Sequence, residues 1–150
     1  MADSNFSDLR PAIVVSRWNE LITNALLEGA RDTLRGMGVP EPRVIHVPGA
    51  WEIPPVCAAL IESDQANVII ALGCILQGQT THAQLLASDV SRALMDLQVK
   101  HGIAIGWGIL TPDDAHQALD RCGLKHGNKG REAAASAVET AQVLRSLRSS

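Results

Sequence analysis

Short apolar runs with almost no alternation recur along this chain, and that pattern leaves few folds open. Pro11 to Ser16, Arg43 to Val47, Val68 to Gly73 and Ile103 to Trp107 are rich in Val, Ile and Ala. A strand with one wet face alternates apolar and polar residues, whereas a strand covered on both faces is apolar almost throughout. The runs therefore read as strands of a parallel sheet, and parallel neighbours need crossover helices between them. Glu20 to Gly36 supplies the first, with Leu21, Ala25, Leu26, Gly29, Ala30, Thr33 and Leu34 on one stripe and the glycines and proline of Gly36 to Pro40 ending it. Ile53 to Ser63, Thr80 to Lys100, Asp113 to Cys122 and Lys129 to Leu147 read as the others; the last is alanine-rich, with Glu132, Glu139, Arg145 and Arg148 at its exposed positions. The order β-α-β-α-β-α-β-α-α, with short right-handed connections, predicts a three-layer α/β/α sandwich around a four-stranded parallel sheet.

A chain of 150 residues has room for one such domain, 1–150, with residues 1–10 as a flexible N-terminal arm. Thirteen basic against sixteen acidic residues give a formal charge of -3, and no run of like charges makes a patch for nucleic acid or an anionic membrane. No apolar stretch approaches the roughly 20 residues that span a bilayer, and Met1 to Arg10 lacks the apolar core of a signal peptide, so a cytoplasmic location is expected. Cys57, Cys74 and Cys122 are far apart, with no CxxC pair and no histidine at zinc-ligand spacing. They read as reduced, packed residues, and no metal site is expected.

Ligands of open parallel sheets bind beyond the carboxyl ends of the strands. The chain has three Trp, one Phe and no Tyr, and Trp18, Trp51 and Trp107 fall at or just after predicted strand ends. A single Trp is as often core as site; three on one edge point to a stacking surface for a flat conjugated ring. Gly73 to His82 joins the third strand to a long helix through glycines and hydroxyls, and free N–H groups at such a helix start attract anions, although a threonine there is more often a plain cap. His82 at that start can move protons near neutral pH, whereas His46, His101, His116 and His126 read as solvated bystanders. Arg121, Lys125 and Lys129 cluster around a glycine-interrupted break, a basic loop that is solvated by default and able to close over a phosphate from a neighbouring subunit.

Ser16-Arg17-Trp18-Asn19, Val47 to Pro54, Ala71-Leu72-Gly73, Gly78 to His82, Gly108 to Thr111, Gln117-Ala118, Arg121-Cys122-Gly123 and Gly127 to Gly130 together resemble the lumazine synthase family, in order, from Ile13 to about Leu144. The resemblance implies a flavodoxin-like sandwich and an enzyme that condenses a ribitylamino-pyrimidine with 3,4-dihydroxy-2-butanone 4-phosphate, without metal or cofactor. It further implies that Trp18 stacks on the pyrimidine with Asn19 beside it, that Ala50, Trp51 and Glu52 hold the ribityl chain and ring edge, and that Cys74, Ile75 and Leu76 offer main-chain contacts to the ring. Gln79 and Thr80 would receive the phosphate with Arg121 completing the site and Lys129 nearby, and His82 would transfer protons. In the family, Trp107 and Arg121 come from an adjacent subunit of a pentameric ring, so a monomer should be inactive; pentamer, decamer and a capsid of pentamers stay open.

The sequence departs from the family pattern in places. Gln77 stands where Arg or Lys is usual, and Ala83-Gln84 replaces an aromatic-acidic pair, leaving no carboxylate two residues on to orient His82. Trp51 and Trp107 occupy positions of Phe or smaller residues. Rival expectations are a paralogue that captures riboflavin or lumazine between tryptophans without efficient synthesis, and a shell-forming scaffold.

Overall fold

The computed structural model describes residues 5–77, 82–113, 115–123 and 127–149. Four strands, β1 (Pro11–Ser16), β2 (Arg43–Val47), β3 (Val68–Cys74) and β4 (Ala104–Leu110), form one parallel sheet in the order β2-β1-β3-β4. Helices α1 (Glu20–Met37), α2 (Ile53–Glu62), α3 (Ala83–His101), α4 (Ala115–Arg121) and α5 (Lys129–Arg148) connect and cover it. Every residue of β1 and β3 is buried, as continuous apolar runs require in a sheet sandwiched between helices. Side chains alternate across the sheet. Ile13, Val15, Ile70 and Leu72 pack with α1 and α5 on one face, while Val14, Ile69, Ala71 and Ile109 pack with α2 and α3 on the other. This is the three-layer, flavodoxin-like α/β/α sandwich anticipated above.

Element bounds differ where glycine misleads. β4 was expected to stop at Trp107, but it runs three residues further because Gly106 and Gly108 are strand positions that admit α5. A methyl group on Gly106 would run into the Ala133 carbonyl, and one on Gly108 would meet Leu72 and Ala133. Glycine weakens a strand in isolation, and here it allows a helix to approach the sheet closely. α1 tolerates Gly36 and ends at Gly38, whose left-handed backbone (φ 80°) lets its N–H reach Arg35 O. Leu21, expected on the buried stripe of α1, is 75% exposed; Ile22 takes its place, so the stripe starts one residue later.

Asn128 joins α5 to the rest. Its Oδ1 caps α5 by accepting from the N–H groups of Gly130 and Arg131, while its Nδ2 donates to Ala25 O (3.0 Å) and Cys122 O (3.1 Å). Gly29 and Gly130 leave room for it: a methyl group on Gly29 would overlap the Asn128 carboxamide, and one on Gly130 would strike Leu26 O. From Asn5 onward the N-terminal segment lies on the domain, with Phe6 and Leu9 buried and Arg145 bonded to Asp8 Oδ1 and Asn5 O. At the β4 edge, Gln98 of α3 accepts from Ile105 N–H (2.8 Å). No helix among the described residues is long and apolar enough to cross a membrane.

Asn128→Ala removes a helix cap and leaves two inward carbonyls without their donor. We expect a loss of about 2–4 kcal/mol in denaturant unfolding. Gly106→Ala, which forces α5 off the sheet, should cost about 1–3 kcal/mol.

Candidate active site

The sheet order reverses between β1 and β3: the chain moves outward from β1 to β2, then returns past β1 to β3 and on to β4. A crevice opens beyond the carboxyl ends of strands at such a switch point. Asn19, just past β1, spans it by donating from Nδ2 to Cys74 O at the end of β3 (3.2 Å). Its backbone is left-handed (φ 67°), a conformation that asparagine tolerates better than most residues and that turns the chain abruptly into α1.

The exits of β1 and β2 are tied together as well. Arg17 N–H donates to Val47 O (2.8 Å) and Trp18 N–H to Pro48 O (3.1 Å). The Trp18 indole lies over Gly49 so closely that a methyl group there would overlap its six-membered ring, yet the residue remains 64% exposed. Glu52 braces the same turn by accepting from Gly49 N–H (2.9 Å), through a short 3-10 turn, Ala50–Glu52, that leads into α2. Trp51 on that turn is 61% exposed and, with Pro54, Pro55, Val90 and Ala93, lines a largely apolar cleft of about 360 Å³. Two large aromatic faces thus flank one turn at the strand ends, open to a flat ligand.

At the β3 exit, the side chains of Cys74, Ile75 and Leu76 are all buried. Ile75 N–H is already bonded to Leu110 O (2.8 Å). Burial pushes the Cys74 thiol up to about 11, helped by the nearby Cys122 thiol, and pushes Cys57 up to about 12. Neither of these two is a thiolate near neutral pH, so neither is poised as a nucleophile.

His82 is exposed at the N-cap of α3, and its carbonyl accepts from Leu86 N–H (2.9 Å). The described helix starts at Ala83; Gln79, Thr80 and Thr81, expected at its opening, lie outside the described residues. Arg121 is exposed as the last residue of α4. Trp107 does not sit at the strand ends. It pairs in register with Ala71, midway along β4, and shares with Lys129 and Gln98 a cleft of about 260 Å³ on the free edge of the sheet. Lys129 is held there 3.8 Å from Glu132. The structure therefore gathers Trp18, Asn19, Ala50, Trp51, Glu52 and the Cys74 to Leu76 stretch around the strand exits, and sets Trp107 and Lys129 apart on the β4 edge. A cleft of about 650 Å³ between α1 and α5 is larger, but no tryptophan lines it; within it Arg131 pairs with Asp32 (2.7 Å).

Sequence reasoning missed Gly49 as the seat of Trp18 and Gln77 as a bridge to the β4 exit, where its Nε2 donates to Thr111 O (2.9 Å). A glycine directly after a proline at a strand end was the available signal for the first. The second depends on a contact across thirty-four positions, which spacing does not carry.

The sequence model of the 6,7-dimethyl-8-ribityllumazine synthase family matches residues 8–145. The chain belongs to that family. Its match covers the whole sheet, every helix except the end of α5, and all the strand exits described above. Membership in the lumazine synthase family places the protein among enzymes of riboflavin biosynthesis.

With both thiols held protonated, a maleimide or aromatic disulfide reagent should leave Cys57 and Cys74 unmodified at pH 8 in the folded protein. At a pKa of about 11, Cys74 would be roughly one part in a thousand thiolate at that pH. All three cysteines should react after denaturation, as read by intact mass.

Proposed function

We propose that this protein is a working lumazine synthase, which joins 5-amino-6-(D-ribitylamino)uracil to 3,4-dihydroxy-2-butanone 4-phosphate and yields 6,7-dimethyl-8-ribityllumazine, phosphate and water, the penultimate step of riboflavin biosynthesis. The observation that carries this reading is the exposed Trp18 indole laid over Gly49, beside the turn that Glu52 braces, at the switch point of a chain from this family. An indole fixed on one face and open on the other is suited to stacking a pyrimidine.

In this reading Ala50, Trp51 and Glu52 line the ribityl chain, and Cys74, Ile75 and Leu76 present main-chain groups to the ring, in keeping with their buried side chains. Asn19 serves the ring by holding Cys74 O in place. Gln79 and Thr80 receive the phosphate, Arg121 completes its charge balance, and no metal or cofactor takes part. The amine of the pyrimidine attacks the ketone, a Schiff base forms with loss of water, phosphate departs, and the ribitylamino nitrogen closes the second ring with loss of water. His82, exposed at the head of α3, relays the protons these steps exchange with solvent. Most of the acceleration comes from holding two reactants in one orientation, which suits a site with few titratable groups.

The assembly is a homo-oligomer built on pentameric rings. The position of Trp107 and Lys129 on an open sheet edge, away from the strand exits of their own subunit, supports their donation, with Arg121, to the site of a neighbour. The same mostly exposed tryptophans, Trp18 and Trp51, favour a second reading, a flavin-binding relative with weak synthesis.

Mixing purified protein with both substrates should produce fluorescent lumazine well above the spontaneous rate. His82→Ala should lower kcat about 100-fold or more, and Arg121→Ala should raise KM for the butanone phosphate. Background-level turnover, combined with quenching of tryptophan emission by riboflavin, would instead assign the protein to flavin binding.

A further inference from the structure

Gln77 stands where family members usually carry a cation, and as an uncharged amide it adds no attraction for a phosphate. Its side chain is half-buried, and its contacts run to the neighbouring strand exit. The main-chain N–H donates to Pro112 O (3.0 Å) and the side-chain Nε2 donates to Thr111 O (2.9 Å). Two residues earlier, Ile75 N–H donates to Leu110 O (2.8 Å), so the pairing of β3 with β4 continues past the end of both strands. On the other side, Gln117 Oε1 accepts from Asp113 N–H (3.0 Å) and ties the β4 exit to α4. The exits of β3 and β4 are therefore laced together over Leu110 to Asp113, and the Gln77 carboxamide is the side-chain stitch in that lacing.

We propose that Gln77 is a positioning residue for the synthase reaction: its carboxamide clamps the β3 exit to the β4 exit and so fixes the direction in which the chain leaves for the phosphate-receiving residues Gln79 and Thr80. The proposal rests on the synthase reading for its effect on turnover, and on the hydrogen bonds alone for its effect on the fold. A clamp acts by geometry. Replacing it with an uncharged side chain of similar length should therefore disturb the phosphate-bearing substrate more than the pyrimidine, whose contacts lie upstream at Cys74 to Leu76.

Gln77→Met keeps length and neutrality and removes the donor. In ligand-free protein, the amides of Ile75, Gln77 and Asp113 should exchange with deuterated solvent about fivefold faster, the order expected for losing one hydrogen bond. In turnover, KM for the butanone phosphate should rise by a similar factor, with kcat within about twofold and KM for the pyrimidine unchanged. Gln77→Lys, which restores a donor, should return exchange at these amides to the wild-type rate. Wild-type exchange in Gln77→Met overturns the clamp. So does a parallel rise of both KM values with a fall in kcat, the mark of general loosening. A wild-type protein without turnover sinks the synthase reading and leaves the exchange comparison to decide the clamp by itself.

Discussion

The closeness of α5 to the sheet is the constraint on which the other features depend. Without side chains at Gly106 and Gly108, the Ala133 and Ala137 turn of α5 settles against the backbone of β4, and β4 completes the sheet beside β3. Asn128 then fixes where that helix begins, by capping its first turn and holding the carbonyls of Ala25 and Cys122 with the same side chain. All four hydrogen-bonding positions of the carboxamide are thereby used, which is what a half-buried polar group requires if it is to specify one arrangement without destabilising it. The position of Lys129, one residue on, follows from that cap.

On this scaffold the strand exits are held by polar groups of the chain itself. Arg17 and Trp18 reach the β2 exit through main-chain bonds, Asn19 crosses to Cys74, and Ile75 and Gln77 cross to the β4 exit. A site whose work is to orient two reactants needs walls that do not move, and a belt of short-range hydrogen bonds across adjacent strand ends provides them. Few charged groups are involved. Of the residues gathered at the strand exits, Glu52 alone carries an ionisable carboxylate, and it is engaged by Gly49 N–H.

The layer architecture was legible because burial on both faces leaves its mark residue by residue: Ile13, Val14 and Val15 are all apolar, and all are inside. The aromatic positions were only partly legible. Trp18 and Trp51 follow strands whose ends are marked by polar residues or proline, whereas the apolar run Ile103 to Trp107 ends three residues short of β4. Gly108, next in β4, is a strand position because α5 packs over it, and α5 arrives from elsewhere in the sequence, of which local propensity holds no record. Leu21 and Ile22 were confused for a related reason: adjacent apolar residues at a helix start leave the phase of the stripe open until the cap is known, and the left-handed Asn19 fixes that phase.

The contact between Gln98 and Ile105 bears on how the open side of the sheet meets other chains. Along a parallel strand the outward main-chain groups recur at every second residue, so Ile105, Trp107 and Ile109 present theirs away from β3. Gln98 engages the lowest N–H, and Trp107 follows at the next outward position. An extended segment trying to zip onto this side from below would meet an occupied donor at its first rung. The edge therefore carries a built-in stop against indiscriminate strand addition, of the kind that separates ordered association from aggregation.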